Sequence, residues 1–329
     1  MPRAPRGRYA PSPTGPIHVG NARTALAAWL SVRSRGGAFV WRLEDLDAPR
    51  LVPGMARRQQ EDLAWLGLDW DEGPAGGQAG GPYAPYCQSA RAGFYEAAIE
   101  RLAAAGRLFP CRRSRKDLAV LASAPHGPET APYPAALRPQ RLDPGWYERL
   151  RASARPDAAV RFRVDAQPVA WTDRIHGPRV ERVDTTVGDF VLKRRDGLYA
   201  YQLAVVVDDI AMAIDDVVRG ADLLDSTARQ LQLIAALGGA PPAYTHLPLV
   251  VNAGGEKLSK RDSGLALYAL REAGVAAPAL AGWLGWSLGL LDRPEPCRPA
   301  DLLPLFAWER VPRREVRLPA DLAGSLRSV

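Results

Sequence analysis

Cysteine is scarce. The 329-residue chain has three, Cys87, Cys111 and Cys297, too few and too scattered for a disulfide framework, and it has no C-x-x-C pair. That usage points to a reducing compartment. Long apolar runs are also missing. No stretch reaches the roughly 18 apolar residues of a membrane helix, and the basic N-terminus lacks the roughly 7–15 apolar residues of a secretory signal. The expected location is the cytoplasm, with no membrane partner. What the chain has in excess is positive charge: 43 Lys and Arg against 36 Asp and Glu, a net charge of +7 and a pI near 9.5. The arginines are spread along the chain, with local clusters at Arg112 to Lys116 and Lys193 to Arg195. Such a surface favours a polyanion such as RNA, although the arginine bias of a GC-rich genome gives the same signature. With 47% hydrophobic and 24% charged residues, the chain is globular and long enough for two or three structural units.

Near the N-terminus, Arg8-Tyr-Ala-Pro-Ser12-Pro-Thr14-Gly-Pro-Ile-His18-Val-Gly20-Asn21 reads as a short strand ending near Ala10. A loop stiffened by Pro11, Pro13 and Pro16 follows, then a helix opening at His18 to Asn21. Free backbone N–H groups at a helix start favour an anion. Gly15 and Gly20 permit close backbone approach, and His18 can donate to a phosphate oxygen. Far downstream, Lys257-Leu-Ser259-Lys260-Arg261 is a cationic cluster behind Gly254-Gly255. A loop of that kind can close over a pyrophosphate and stabilise charge that develops as it leaves. Taken singly, each stretch also fits a plain turn or a solvated charge run. Taken together, they suit a triphosphate.

Between them, Ala22, Leu26, Trp29 and Leu30 recur at helical spacing and Gly36-Gly37 supplies a stop. Phe39 to Leu43 alternates as a strand, which puts Glu44 at its carboxyl end. In open parallel α/β sheets that edge binds ligands, so Glu44 is a candidate for an ammonium, while Asp45 and Asp47 read as turn-forming acids before Pro49. Gln59 to Leu68 is helical. A second amphipathic helix opens at Gln88 to Arg91 and runs to Gly106, with Phe94, Ile99 and Leu102 expected in the core. From Pro110 to about Arg182 prolines recur, Arg112, Arg113, Arg115 and Lys116 cluster, and Val160 to Val164 alternates as a strand. This reads as a basic inserted domain suited to an RNA backbone. Asp189 onward is expected to resume the main sheet, with Tyr199 and Tyr201 on one face. Val217 to Asp222 is a short strand that delivers Arg219 to a ligand edge, and Leu247 to Val251 gives one more strand. Trp283, Leu284, Trp286 and Leu288 are expected to pack in a helical C-terminal region.

The two signature stretches, in this order and separation, resemble those of class I aminoacyl-tRNA synthetases. The wider string R-Y-A-P-S-P-T-G-x-x-H-x-G narrows the resemblance to the glutamyl and glutaminyl branch. Trp41 to Asp47, Asp196 to Tyr201 leading to Val205 to Asp209, and Arg219-Gly-Ala-Asp222 add independent support, so the similarity covers Arg8 to about Arg261. The resemblance implies an α/β fold: a Rossmann-type parallel sheet with an inserted α+β domain and a short helical C-terminal region. Residues 1–109 would form the first half of the catalytic domain, 110–184 the acceptor-type insertion, 185–261 the second half and 262–329 the helical end. No anticodon-binding domain is expected. That length, and the R-G-A-D-L-L string at Arg219 to Leu224, resembles a shortened branch whose members activate glutamate with ATP without needing tRNA. They place it on the queuosine at the wobble position of tRNA(Asp).

Carried over residue by residue, the glutamate site would be Arg8, Ser12, Glu44, Tyr201 and Arg219. Two guanidiniums would meet the two carboxylates and Glu44 the ammonium. ATP with Mg2+ would be held by Thr14, His18, Gly20, Asn21, Lys257, Ser259 and Lys260, with His18, Lys257 and Lys260 serving the chemistry. The first signature ends in Asn21 instead of the usual His. Relatives that bind zinc in the insertion do so through more cysteines than this chain offers. Cys111 stands in place with Tyr133, but Arg113 replaces the second cysteine and none follows Tyr133. Zinc is therefore not expected unless a distant group such as His126 joins, and the protein is expected to be a monomer. Two alternatives stay open: a truncated glutamyl enzyme that charges a tRNA 3′ end, and a catalytically silent relative that only binds tRNA.

Overall fold

The computed structural model describes residues 4–74, 80–113, 117, 132–258 and 263–328. Its central feature is a six-stranded sheet. In spatial order the strands are β2 (Ala38–Trp41), β1 (Arg6–Tyr9), β8 (Asp216–Gly220), β9 (Ala243–Leu247), β5 (Val169–Asp173) and β6 (Gly177–Glu181). All pair in parallel except β5 and β6, which form an antiparallel hairpin at one edge. In the interior strands the burial is continuous: β1 and β8 are buried nearly throughout, as expected of parallel strands covered on both faces. Phe39 and Trp41 on one side of β2 and Val40 and Arg42 on the other are all fully buried.

Helix α1 (Val19–Arg33) crosses from β1 to β2 and packs on β1, β2 and β8. Beneath it lies the larger core, which includes Leu26, Leu30, Phe39, Trp41 and the C-terminal Leu280 and Leu284. A second core joins helix α3 (Ala92–Ala104) to the helices Tyr201–Ala211 and Thr227–Ala236 through Tyr95, Ile99, Leu203, Val206 and Leu233. Arg23, 1% exposed, donates to the carbonyl of Pro248 (2.8 Å) and to both oxygens of Ser287, which ties α1 to the C-terminal helix Ala277–Ser287. Because β1, β2, β8 and β9 run in parallel, their carboxyl ends share one edge. The strand order reverses at β1, the position where such sheets leave a crevice for ligands.

Several expectations change. The strands β5 and β6, within the stretch read as the insertion, join the main sheet. The strand Phe190–Lys193 (β7), expected to resume that sheet, instead pairs with Ala159–Phe162 (β4), which pairs in turn with Leu108–Cys111 (β3) in a small antiparallel sheet. Alternation marks a strand but carries no information about which sheet receives it. The apolar run at Leu247 to Val251 is divided by Pro248: β9 ends at Leu247, and Val250–Val251 pairs with Val316–Arg317. Phe94 is 45% exposed under the Arg91 guanidinium, and Trp286 is 36% exposed at the outer face of its helix. Tyr199 and Tyr201 do not share a face, because a helix starts at Tyr201 and ends the strand-like alternation. Tyr199 donates to Glu96 (2.8 Å), whereas Tyr201 faces the crevice.

Candidate active site

The crevice is a cavity of about 480 Å³ over the carboxyl ends of β1, β8 and β9. Of the residues proposed from sequence, Arg8, Ser12, Thr14, His18, Gly20, Asn21, Glu44, Tyr201, Arg219 and Lys257 all line it. They come from five separate parts of the chain. Ser259 and Lys260 lie outside the described residues, as do Arg115, Lys116 and His126.

One wall is built at the start of α1. His18 is the N-cap, and its Nδ1 accepts from the backbone N–H of Gly20 (3.1 Å) and Asn21 (3.3 Å). Two of the helix's first N–H groups are therefore taken by the imidazole and not free for an anion, which revises the sequence reading. Since Nδ1 accepts, the neutral ring carries its proton on Nε2. A Cβ on Gly20 would come within 3.1 Å of the imidazole, so glycine here lets the ring fold back over the helix end. Asn21 completes a capping box by accepting from the His18 N–H through Oδ1 at 3.5 Å. Asn thus has a structural reason at this position. The preceding loop is held by Gln59 of helix α2 (Met55–Leu66), whose Nε2 donates to the carbonyls of Ser12 (3.1 Å) and Gly15 (2.8 Å).

The floor is a chain of alternating charge. Arg42 donates to Glu44 Oε1 (3.2 Å) and to Asp209 Oδ1 (2.6 Å), and Arg8 Nε reaches the same Asp209 oxygen at 3.3 Å. Burial raises the Glu44 carboxyl above its ordinary value against the opposing pull of Arg42 and Arg8. At Asp209 burial acts in the same direction, but Arg42 and Arg8 outweigh it and hold the carboxyl low. Asp208, one residue earlier, belongs to a deeper cluster: it accepts from Arg91 Nε (2.6 Å), Gln88 (2.8 Å) and Tyr95 (3.0 Å).

Arg219 stands apart from this chain. It is 4% exposed, and its guanidinium donates to three neutral acceptors: His246 Nε2 (2.9 Å), Gln230 Oε1 (2.7 Å) and Thr227 Oγ1 (3.0 Å). The Tyr244 ring lies 5.2 Å from it. Among the described residues no carboxylate forms an ion pair with Arg219, whereas Arg8 and Arg42 both pair with Asp209. Arg42 also lies 3.8 Å from Asp208, which pairs with Arg91, so four guanidiniums (Arg8, Arg42, Arg91, Arg219) face three carboxylates (Glu44, Asp208, Asp209) and leave one positive charge in excess, concentrated at Arg219.

At the rim, Lys257 Nζ pairs with Asp222 Oδ2 at 2.6 Å, and both side chains are exposed. The turn before it uses Gly255 at φ +85°, backed by Glu256 N–H donating to Asn252 Oδ1 (2.9 Å). Asp45 accepts from the N–H and hydroxyl of Ser89, and Asp47 pairs with Arg50 at 3.5 Å, both in line with the turn reading. Cys111 and Tyr133 do meet, Sγ to Oη 3.6 Å, but the Arg161 guanidinium sits 4.3 Å over the Tyr133 ring. Among the described residues no cluster of three or more His, Cys, Asp or Glu side chains is placed to hold a metal ion. Among the described residues of the basic clusters, Arg112 pairs with Asp157 (2.5 Å), Lys193 with Glu96 (2.8 Å) and Arg194 with Asp196 (2.6 Å). Among the described residues no helix is long and apolar enough to cross a membrane.

Sequence reasoning missed Arg42, Gln59, Asp209 and His246. Arg42 and Asp209 carried a signal, since each is a charge inside an otherwise apolar strand or helix. Gln59 and His246 carried none that a solvent-facing residue would lack.

Residues 5–285 match the family model of class I tRNA synthetases (E and Q), catalytic domain. The chain is 47% identical over 322 residues to the glutamyl-Q tRNA(Asp) synthetase of Symbiobacterium thermophilum, covering 97% of this chain and 98% of that one. It is 45% identical to the protein of the same name from Nitratidesulfovibrio vulgaris, covering 98% of each. Among solved structures, a glutamate tRNA ligase from Elizabethkingia meningosepticum, in complex with its amino acid, superposes with a TM-score of 0.86 at 29% identity. That match covers 98% of this chain and 69% of the ligase.

Proposed function

The chain belongs to the class I tRNA synthetases of the E and Q group, and from that premise we propose that it activates L-glutamate with ATP and transfers it to the queuosine of tRNA(Asp). The observation that carries the first half is the charge pattern of the cavity. A pocket with one positive charge in excess matches glutamate, whose two carboxylates and one ammonium sum to minus one at neutral pH. In this reading Arg219 takes one carboxylate, Arg8 the other, and Glu44 the ammonium, while Tyr201 and Ser12 fix orientation. Arg8 does so while sharing Asp209 with Arg42, so its hold on substrate is weaker than that of Arg219. The partly buried Glu44, whose carboxyl is raised, regains a compensating charge when the ammonium arrives.

The residues around the α1 start fit a nucleotide triphosphate. His18, Thr14, Gly20 and Asn21 line this wall, and the neutral His18 ring would donate to a phosphate oxygen through Nε2–H. Lys257 stands at the rim, tethered to Asp222 and free to exchange that exposed partner for a phosphate. Ser259 and Lys260 are assigned to the same task by the family pattern. Magnesium, carried on the ATP phosphates, would neutralise part of their charge. No side chain acts as a nucleophile. A glutamate α-carboxylate oxygen attacks the α-phosphorus, the bond from the α-phosphorus to the bridging oxygen breaks, and pyrophosphate leaves with that electron pair. A hydroxyl of the queuosine cyclopentenediol then attacks the glutamyl carbonyl, the bond from that carbon to the phosphate oxygen breaks, and AMP departs with the electron pair as the hydroxyl proton passes to its phosphate. The protein contributes position and fixed charge.

The second half rests on near full-length identity to proteins named for that transfer. Glutamate-dependent exchange of pyrophosphate into ATP with no tRNA present tests activation. Labelled glutamate with tRNA(Asp) bearing or lacking queuosine tests transfer: label on the modified tRNA alone is expected. Exchange that appears only after tRNA is added would reject the claim that the site is complete in this chain.

A further inference from the structure

A line of buried side chains leads away from the cavity behind Arg219. Arg219 on β8 and His246 on β9 are directly opposite in the parallel ladder, and the Arg219 Nε–H donates to His246 Nε2 at 2.9 Å. On the far side of the ring, Nδ1 lies 2.6 Å from Asp173 Oδ2 at the end of β5. His246 is fully buried and Asp173 1% exposed. Asp173 is itself pinned by backbone: Oδ1 accepts from Ile175 and His176, both at 2.9 Å, and Oδ2 accepts from the His246 N–H at 3.1 Å. Three strands of the main sheet thus hold one carboxylate, one imidazole and one guanidinium in line.

The donor and acceptor roles admit a single assignment. A guanidinium Nε–H only donates, so His246 Nε2 is unprotonated, and Nδ1–H therefore donates to Asp173. The ring is neutral. Burial and the Arg219 charge both oppose a proton on it, while Asp173 favours one, and the net effect lowers its pKa below the ordinary value.

A neutral acceptor has a consequence that a carboxylate would not. Asp209 fixes Arg8 and Arg42 but also cancels their charge. His246 fixes the Arg219 plane, with Gln230 and Thr227 holding the other arms of the fork, and leaves the charge for a ligand. We propose that Asp173 and His246 are positioning residues for Arg219: Asp173 locks the imidazole tautomer, and His246 aims the guanidinium at the substrate carboxylate without neutralising it. Glutamate affinity, and preference for glutamate over its uncharged amide glutamine, depend on this pair. The proposal rests on the reading of the cavity as a glutamate site.

The test uses pyrophosphate exchange by the full chain with glutamate or glutamine, alongside ATP titrations and thermal unfolding. His246→Leu removes the acceptor and should raise the glutamate KM by about 10- to 100-fold, the effect of a small misplacement of a substrate-holding group, with the ATP KM within about twofold. His246→Gln can still accept from Arg219 and donate to Asp173, and should recover most of the loss. His246→Glu supplies a carboxylate in place of the neutral ring and should weaken glutamate as strongly as His246→Leu while reducing the preference over glutamine. An unchanged glutamate KM in folded His246→Leu would overturn the proposal, as would equal loss of ATP and glutamate, or failure of His246→Gln to recover affinity. Absence of glutamate-dependent exchange in the unmodified protein would instead overturn the functional reading beneath it.

Discussion

Replacing Arg219 by alanine separates the two arginines of the cavity. Arg219 is buried, carries no ion pair among the described residues, and is held by three neutral acceptors. Its loss leaves one substrate carboxylate unpaired in a desolvated pocket, which costs about 2–5 kcal/mol for a buried hydrogen-bonded charge pair. At about 1.4 kcal/mol per factor of ten, that is a fall of about 30- to 4000-fold in kcat/KM for glutamate. The upper part of the range is expected, because the excess charge of the pocket resides at this residue. Arg8 differs. Asp209 retains Arg42 at 2.6 Å after Arg8→Ala, and the charge removed was already partly cancelled, so the lower part of the range applies. Folding should survive Arg219→Ala: the acceptors left behind are neutral, each costs about 1–3 kcal/mol at most, and Thr227 stays 3.3 Å from His246 and Gln230 stays bonded to Gln202. Pyrophosphate exchange at varied glutamate and varied ATP reads the split, with thermal unfolding as the control for folding. A near-normal glutamate KM in Arg219→Ala, or a larger loss in Arg8→Ala, would refute the electrostatic argument.

Asp208→Ala should destabilise the fold by about 3–5 kcal/mol, because it strands the fully buried Arg91 guanidinium; urea unfolding reads this, and a loss under about 1 kcal/mol would show that Arg91 finds another partner. Asn21→Ala removes half of the capping box and should cost about 0.5–2 kcal/mol in stability while leaving the glutamate KM unchanged, as thermal unfolding and exchange kinetics would show. Asp62 is 1% exposed with no hydrogen-bond partner on either oxygen among the described residues, and burial pushes its carboxyl up to about 6 against the pull of Arg271 and Arg58. The folded state therefore binds this proton more tightly than the unfolded chain. Its stabilising effect is full below about pH 4 and is lost as pH rises through about 6. Asp62→Asn should raise stability at pH 7.5 on the order of 1–3 kcal/mol and flatten the dependence between pH 4 and 6, so an unchanged urea midpoint at pH 7.5 would contradict it.

The ligand edge was legible because it is local. Glu44 and Arg219 lie at or just beyond the carboxyl end of strands that alternation or an apolar run marks in the sequence, Arg8 lies in the short β1, and His18 caps the helix that follows its loop. Parallel pairing then brings those ends together without further information. Sheet membership was not legible: β7 and the β5–β6 hairpin have ordinary strand patterns, and only tertiary packing assigns one to the small sheet and the other to the main one. Charge balance was hidden for the same reason. Arg8 and Arg219 look alike in sequence, yet Asp209, two hundred residues from Arg8, neutralises one and leaves the other. His246 lies just before the run Leu247 to Val251 that reads as a strand, and its meaning comes from facing Arg219 across the ladder.

Where glutamate is placed distinguishes this protein from a synthetase that charges a tRNA 3′ end. The diol of queuosine and the ribose of a tRNA 3′ end both present vicinal hydroxyls, so either can attack the same activated glutamate. The choice lies in which part of the tRNA the protein grips. The direct measurement is to incubate the protein with ATP, labelled glutamate and queuosine-containing tRNA(Asp), then cleave the tRNA so that the anticodon fragment and the 3′ fragment separate. Label is expected on the anticodon fragment, and none when the wobble position carries unmodified guanine. Label on the 3′ fragment, or on tRNA(Glu) lacking queuosine, would contradict transfer to queuosine.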